Sequence, residues 1–438
     1  MKESKSMPTI PTSLLMLTAI CMGAFLSHFT AGVIGVSLPQ LTGPFQAEVG
    51  EVQWITTGCL LVITILLPFM GKLGDRYGHR LIHNSGYVLF TVSSVLAAMS
   101  PSLPVLLTFR IIQAAGAAMF QATNIALITV HMPHGKKGQA LGYVSTAVAL
   151  GAMTGPLAGG WITGSLGWRW LFLIHVPAAA AATLLALRYI PGRSREHSRS
   201  GDTGGKGSLT GDTGRQASLT GVLLHSPGVL SGLLISCAAF LLANTVLVVM
   251  PFYFSGEAGI SPAMAGYMMT AYPILLALAS PAAGRGSDRF GSAGFIAAGL
   301  LSMTAGIAIL ALALDKLPLW GIAAVLALIG AGMGLIASPN NSLIMRLVPA
   351  GHTGAIGGWI AFTRNAGMVL GAFLGFGALD GGAGAERYSH AFGAGILVGI
   401  AAIGVLGYGV RAQSRKRAPS ETGNGTDRTL IGDRQKEA

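Results

Sequence analysis

Val52 to Met70 is a stretch without a single formal charge, and the chain contains many like it. A run of about 20 apolar residues is long enough to cross a hydrocarbon core of about 30 Å as a helix. Inside that core the backbone has to satisfy its own hydrogen bonds, so helices are the expected element. The composition agrees: 52% of the 438 residues are hydrophobic and 10% are charged, against about 25% charged in soluble proteins. An ordinary globular protein is excluded.

The net charge of +12 would suggest nucleic acid as a partner in a soluble chain. Here the basic residues sit between the apolar runs and at the two ends, so they report membrane topology instead, and no nucleic-acid partner is expected. Cys21, Cys59 and Cys237 lie inside apolar runs with no CxxC or histidine spacing. Neither a disulfide framework nor a metal site follows, and core packing is their expected role. Lys2 and Lys5 precede an apolar run from about Leu14 to Val36, which is too long for a signal-peptide core and reads as a retained first helix.

Hydropathy places spans near 14–36, 52–70, 82–99, 105–128, 138–162 and 169–189, then near 226–252, 262–282, 292–313, 317–338, 353–377 and 389–411. The expected architecture is all-α and integral to the membrane: a six-helix bundle over 1–189, a linker over 190–225, a second six-helix bundle over 226–411 and a tail over 412–438. The linker is rich in Gly, Ser, Thr and Arg and contains the imperfect repeat GDTGGKGSLT/GDTGRQASLT. Such a composition cannot bury a core and implies flexibility. Its GGKGS misses the phosphate-loop spacing.

Of the 28 Lys and Arg residues, Arg169, Lys316 and Arg387 fall in outer loops and Arg110 and Arg364 within spans if both termini are cytoplasmic, which leaves 23 inside. The positive-inside rule selects that orientation, in the inner or plasma membrane.

A duplication is visible. GKLGDRYG (71–78) returns as GRGSDRFG (284–291), so that Gly71, Asp75, Arg76 and Gly78 match Gly284, Asp288, Arg289 and Gly291 at an offset of 213. Pro133, Gly138, Gly142, Gly151, Gly155 and Gly159 match Pro349, Gly354, Gly358, Gly367, Gly371 and Gly375 at an offset of 216. Parallel repeats of six spans are the plan of a rocking secondary transporter with its site between the halves near the midplane.

These residues resemble the major facilitator superfamily over nearly the whole chain. GKLGDRYGHR is similar to its cytoplasmic signature between helices 2 and 3. Gly142, Gly151, Gly155, Pro156, Gly159 and Gly160 resemble the helix 5 motif of antiporters. Arg110-Ile111-Ile112-Gln113 resembles the helix 4 motif with its buried arginine. WITTGCLLVITILLPFMGKLGD, WRWLFLIHVP and SPAMAGYMM are similar to the drug:proton antiporter branch. That branch usually has fourteen helices, and this chain has twelve.

The signature has a mechanical reading. Gly71, Gly74 and Gly78 permit close approach or a sharp turn, and Asp75 is expected just ahead of helix 3, where a helix N-terminus favours a carboxylate. By resemblance Asp75 and its repeat Asp288 are gate elements, with Arg76, Arg80 and Arg289 as neighbours. The plainer alternative is a capping, positive-inside loop without a gating role. In helix 5 the glycines at 151, 155 and 159 share a face and allow tight helix contact, while Pro156 removes a backbone bond. The resemblance implies antiport; simple packing would use the same glycines.

Arg110 and Arg364, costly in lipid, are expected to face the protein interior. Arg110 could bias a neighbouring proton site or bind an anionic substrate, with pairing to backbone carbonyls at a kink as the alternative; Arg364 could line the cavity or be purely structural. Helix 1 departs from the family pattern: relatives carry an Asp about nine residues before Leu38-Pro39, and this chain has Thr30. Imidazole titrates near neutral pH, so His28 could carry a coupling proton, as could His175; a hydrogen-bonded structural histidine is the alternative for both. Gln121 and Asn124, three apart and so on one face, with Asn244, Thr245, Tyr267, Tyr272, Asn340 and Asn341, could wet a cavity or bond helices together.

The reading that follows is proton-coupled export of small amphipathic compounds, by a monomer in the lipid bilayer, with no cofactor. An organic-anion carrier using the two arginines is the alternative. A membrane-embedded sensor would need a soluble domain, and an enzyme a catalytic cluster; the sequence shows neither.

Overall fold

In the computed structural model, residues 10–132, 137–190, 226–348, 353–380 and 386–417 are described. They form twelve long helices and a few short turns: α1 (Ile10–Phe45), α2 (Trp54–Tyr77), α3 (His79–Ala98), α4 (Leu103–His131), α5 (Lys137–Ser165), α6 (Val176–Tyr189), α7 (Pro227–Ser255), α8 (Pro262–Phe290), α9 (Ser292–Ala313), α10 (Leu319–Leu347), α11 (Thr353–Asp380) and α12 (Glu386–Arg417). The chain is a multi-pass membrane protein of two six-helix pseudo-repeats.

Most helices outrun their hydropathy spans, because hydropathy marks only the part in lipid while the backbone stays helical into the interface. At 36 residues α1 is about 54 Å long, and it carries Pro39 and Pro44 inside it. The span read as 169–189 is instead two pieces, Trp170–Leu173 and α6, with His175 at the break. Pro177 cannot donate to the preceding turn and sits in the first turn of α6, where no such donor is needed. Ile190, read as the start of the linker, is 1% exposed and packs into the first bundle. The linker proper and its repeat lie outside the described residues. So do the end of the tail and Lys2, Lys5, Pro133 and Pro349. The last helix runs six residues beyond the expected 411.

The two halves pack alike. In each, the first and fifth helices run parallel with glycines of the fifth against carbonyls of the first. Gly151, Gly155 and Gly159 face the carbonyls of Phe25, Phe29 and Val33; Gly367 and Gly371 face those of Cys237 and Leu241. A Cβ at Gly155 would lie 2.7 Å from the Phe29 oxygen, so only glycine permits this approach. The third and fourth helices meet the same way. A Cβ at Gly86 or at Gly116 would lie 2.7 Å from the other's carbonyl oxygen, and Gly299 and Gly332 repeat the arrangement at 2.6 and 2.8 Å.

Between the halves α5 packs on α8 and α2 on α11, while α1 meets α7. Exchanging the halves turns the first of these contacts into the second, which is the signature of a pseudo-twofold axis. Direction follows from the same contacts. The end of α5 at Gly160 meets the first turn of α8 at Pro262, and α2 begins just after α1 ends on that side. Hence α2 and α8 start together at one end, and Asp75 and Asp288, in their last turns, lie together at the other.

The core shows which end is closed. Near the Pro262 end, buried residues of both halves, among them Val33, Leu41, Ile162, Val249 and Met269, belong to one continuous cluster. Toward the Asp75 end each half has a separate cluster, around Tyr87 and Phe120 in the first and Leu233 and Ile344 in the second. The halves are joined at one end and part toward the signature.

Candidate functional site: a cavity between the two halves

Where the halves part they leave a cavity of about 240 Å³. Its wall is drawn from α1 to α5 on one side and from α7, α8 and α11 on the other. Leu60, Ile63, Leu247, Val248 and Met269 make much of it apolar; His28, Thr30, Arg110, Gln113, Asn244 and Tyr272 supply polar groups. No Asp or Glu is among its described lining residues. An apolar wall with a few convergent polar groups is the general form of a small-molecule site.

Arg110 is the most constrained of these groups. It is 5% exposed, and its Nε and Nη2 donate to the Ile55 carbonyl at 3.2 and 3.1 Å. Nη1 donates to Gln113 Oε1, and the guanidinium carbon stands 5.9 Å from the Phe172 ring centroid. Gln113 Nε2 in turn donates to Ser94 Oγ at 2.5 Å and meets His175 Nε2 at 3.1 Å. His175 also reaches Ser94 Oγ at 3.1 Å. Carbonyl pairing and cavity lining are both realised. His175 itself is buried behind the wall at the start of α6 and does not line the cavity.

On α1, His28 lines the cavity and its Nδ1 stands 3.0 Å from the Ala24 carbonyl. Thr30, two residues on, is 4% exposed, and its hydroxyl has no partner among the described residues. Asn244 donates to the Met368 carbonyl at 2.6 Å, bracing α7 on α11 from within the cavity wall. Thr245 does the same outside it, donating to Gly371 at 3.0 Å. Arg364 does not line the cavity; it is partly buried on α11, its guanidinium carbon 5.9 Å from the Phe240 ring centroid and within electrostatic reach of His28.

Other amide and tyrosine positions fall elsewhere. Gln121 donates to Ser27 Oγ at 2.8 Å, joining α4 to α1, and Asn124 is buried beside it without lining the cavity. Asn340 donates to the Gly232 carbonyl at 2.9 Å. Tyr267 is 60% exposed and Asn341 is exposed, and neither lines the cavity. Sequence reasoning missed Ser94, the hub of the Gln113 and His175 contacts. A lone serine inside an apolar run carries no signal of its own.

The helix 5 motif divides its work. Gly151, Gly155 and Gly159 seat α5 on α1 within the half, whereas Gly160 and Pro156 meet α8 across the boundary. A Cβ at Gly266 on α8 would lie 2.5 Å from the Pro156 carbonyl oxygen and 3.3 Å from Gly160 Cα. Pro156 also lines the cavity. The helical environment of Gly142 lies outside what is described.

In the signature, Gly78 has φ of +100°, a backbone that glycine adopts without strain, and it ends α2 and opens α3; Gly291 repeats it at +88°. Asp75 does not stand just ahead of helix 3: it is in the last turn of α2, and it pairs with His79 at 3.4 Å. Gly71 is open to its surroundings, while Gly74 packs against His79 and Thr123. Arg80 is not beside Asp75 either; its Nη2 donates to the Leu187 carbonyl at 2.9 Å and so caps the end of α6. Asp288 pairs with Arg346 of its own half at 2.9 Å. Arg76 and Arg289 lie over the rings of Tyr77 and Phe290, another repeated contact.

Comparison with known proteins places this arrangement. The model of the Major Facilitator Superfamily matches residues 20–372. The riboflavin transporter RibZ of Clostridioides difficile is 30% identical over 392 residues, which cover 82% of this chain and 86% of RibZ. The multidrug resistance protein Stp of Mycobacterium tuberculosis is 26% identical, covering 82% of this chain and 74% of its own. The tetracenomycin C resistance and export protein of Streptomyces glaucescens is 26% identical over 415 residues. Among solved structures, a D-xylose–proton symporter superposes with a TM-score of 0.74 over 90% of this chain and 97% of its own, at 16% identity. An inward-facing, occupied bacterial homolog of the human lysosomal transporter Spinster gives 0.70 over 92% and 98%, also at 16% identity. At that identity the likeness is one of fold.

Proposed function

The chain belongs to the Major Facilitator Superfamily, and we propose that within this family of secondary transporters it exports small amphipathic compounds in exchange for protons, with both termini cytoplasmic in the inner membrane. One observation carries the reading: the cavity lies between two like halves that are sealed at one end and parted at the other. A site reached from one side at a time is what alternating access requires. In the orientation chosen by the positive charges the parted end is the cytoplasmic one, where an exporter collects its load. The ion pairs of Asp75 and Asp288 each stay within one half, as suits an unfastened gate.

His28 is the titratable imidazole that faces the cavity, and proton exchange is assigned to it. Among the described residues its hydrogen bond is to the backbone of its own helix. The relatives named for riboflavin transport and for multidrug resistance support a small organic load. Inside-out proteoliposomes containing the full chain, supplied with riboflavin and a panel of amphipathic drugs, test the reading. Accumulation of at least one compound should follow the pH gradient and vanish when the gradient is collapsed. Accumulation that survives the collapse would rule out proton coupling, and no movement of any compound would rule out export.

A further inference from the structure

The membrane interior of this chain is charged with one sign only. Asp75 and Asp288 sit in the last turns of α2 and α8, Asp380 and Glu386 are terminal residues of α11 and α12, and every other acid lies in a connection or a tail. Against this, two guanidinium groups, Arg110 and Arg364, stand within helices α4 and α11. Arg110 is on the cavity wall, and its three hydrogen bonds among the described residues go to neutral oxygens, two to Ile55 and one to Gln113. A cation removed from water and given only neutral acceptors keeps its need for a counter-charge.

Thr30, another residue of the wall, adds an unpaired polar group and no negative charge. The Thr30 hydroxyl is buried and without a partner among the described residues, where a threonine in a helix ordinarily bonds back to its own turn. Much of the rest of the wall is apolar, with Leu60, Ile63, Val248 and Met269. A bound molecule that completes this cavity has an anionic oxygen group for Arg110 and an apolar body for the remainder.

We propose that the central cavity selects amphipathic organic anions, with Arg110 as the residue that reads the negative charge. The proposal deepens the exporter reading and rests on it for the identity of the cavity as the transport site. A guanidinium is suited to this role because its fork can hold a carboxylate with some N–H groups while others stay on Ile55. Lipophilic cations are disfavoured, since no carboxylate on the wall offsets Arg110.

Three ligands with one ring system and different head groups test it: naphthoic acid, naphthamide and naphthylmethylammonium, measured at equilibrium on the full chain in nanodiscs. The acid is expected to bind about 10-fold or more tighter than the ammonium, with the amide between them. In Arg110→Gln the ratio of acid to amide affinity should fall to about one, while Arg110→Lys keeps the order because it keeps the charge. A purely structural arginine would change all three affinities together and leave the ratio alone. Should Arg110→Gln fail to fold, Thr30→Asp adds a carboxylate to the wall and should reverse the order in favour of the ammonium.

Equal binding of the three, preference for the ammonium, no binding of the acid up to millimolar concentration, or an unchanged order in Thr30→Asp would overturn the proposal. These are binding outcomes and leave export standing. Export fails separately if naphthoic acid binds with the expected order and proteoliposomes do not move it.

Discussion

Arg110 on α4 and Ile55 on α2 are joined twice, because Nε and Nη2 of one guanidinium donate to a single carbonyl oxygen at 3.2 and 3.1 Å. The bond ties together two helices of the first half at the cavity wall. It also fixes the plane of the guanidinium, so a charge that serves the cavity is held still by the scaffold.

Arg110→Gln should therefore cost stability as well as selectivity. The shorter amide cannot make the double contact, and the expected loss is about 1–3 kcal/mol, read as a lower thermal midpoint in detergent. Arg110→Lys should lose less. An unchanged midpoint in Arg110→Gln would mean that the contact with Ile55 adds nothing to folding.

The duplicated glycine contacts predict duplicated costs. Gly116→Ala would drive a methyl into the Gly86 carbonyl, and Gly332→Ala one into that of Gly299. Each is expected to destabilise its half by about 1–3 kcal/mol through overpacking. If one of the pair is neutral under the same unfolding assay, the two halves are not packed equivalently there.

Gly266→Val probes a different boundary. Its side chain would enter the contact of α8 with Pro156 and Gly160, which joins the halves at the sealed end. The substitution should leave each bundle folded while shifting the population toward a parted outer end, seen as faster labelling of a cysteine placed in the outer part of the cavity. Unaltered labelling with retained expression would show that this contact does not seal the molecule.

The pair Asp75 and His79 should bias the gate. Their contact is an ion pair only while His79 is protonated, and it keeps the carboxylate within its own half. Releasing Asp75 by His79→Gln is expected to favour closure of the signature end, and Asp75→Asn to favour its opening. Spin labels at 72 and 285 report the distance across that end; if neither variant moves the distribution, the gating role is lost.

His28→Asn separates proton coupling from binding. Accumulation driven by a pH gradient should drop to the passive level, while substrate affinity changes less than about 10-fold, or 1.4 kcal/mol. Retention of gradient-driven accumulation would assign the proton to another group.

How far the chain could be read from its letters depends on how far each signal reaches. Twelve membrane helices, their pairing into two repeats and the absence of a mid-membrane carboxylate were determined by the sequence alone, because lipid forces helices on any long apolar run and a duplication preserves its own spacing. The glycines of α5 were legible for the same reason, since a four-residue period defines a face wherever the helix packs. Which face meets which helix was not. Asp75 shifted from the start of α3 to the end of α2, Arg80 turned to the end of α6, and Tyr267 faced outward. Only the tertiary structure placed Arg110 on both a carbonyl and the cavity, drew Ser94 and His175 in behind it, and left Thr30 without a partner. Those outcomes depend on distances between residues far apart in the chain, and they are set by the rotation and tilt with which each helix packs on its neighbours, which no local pattern encodes.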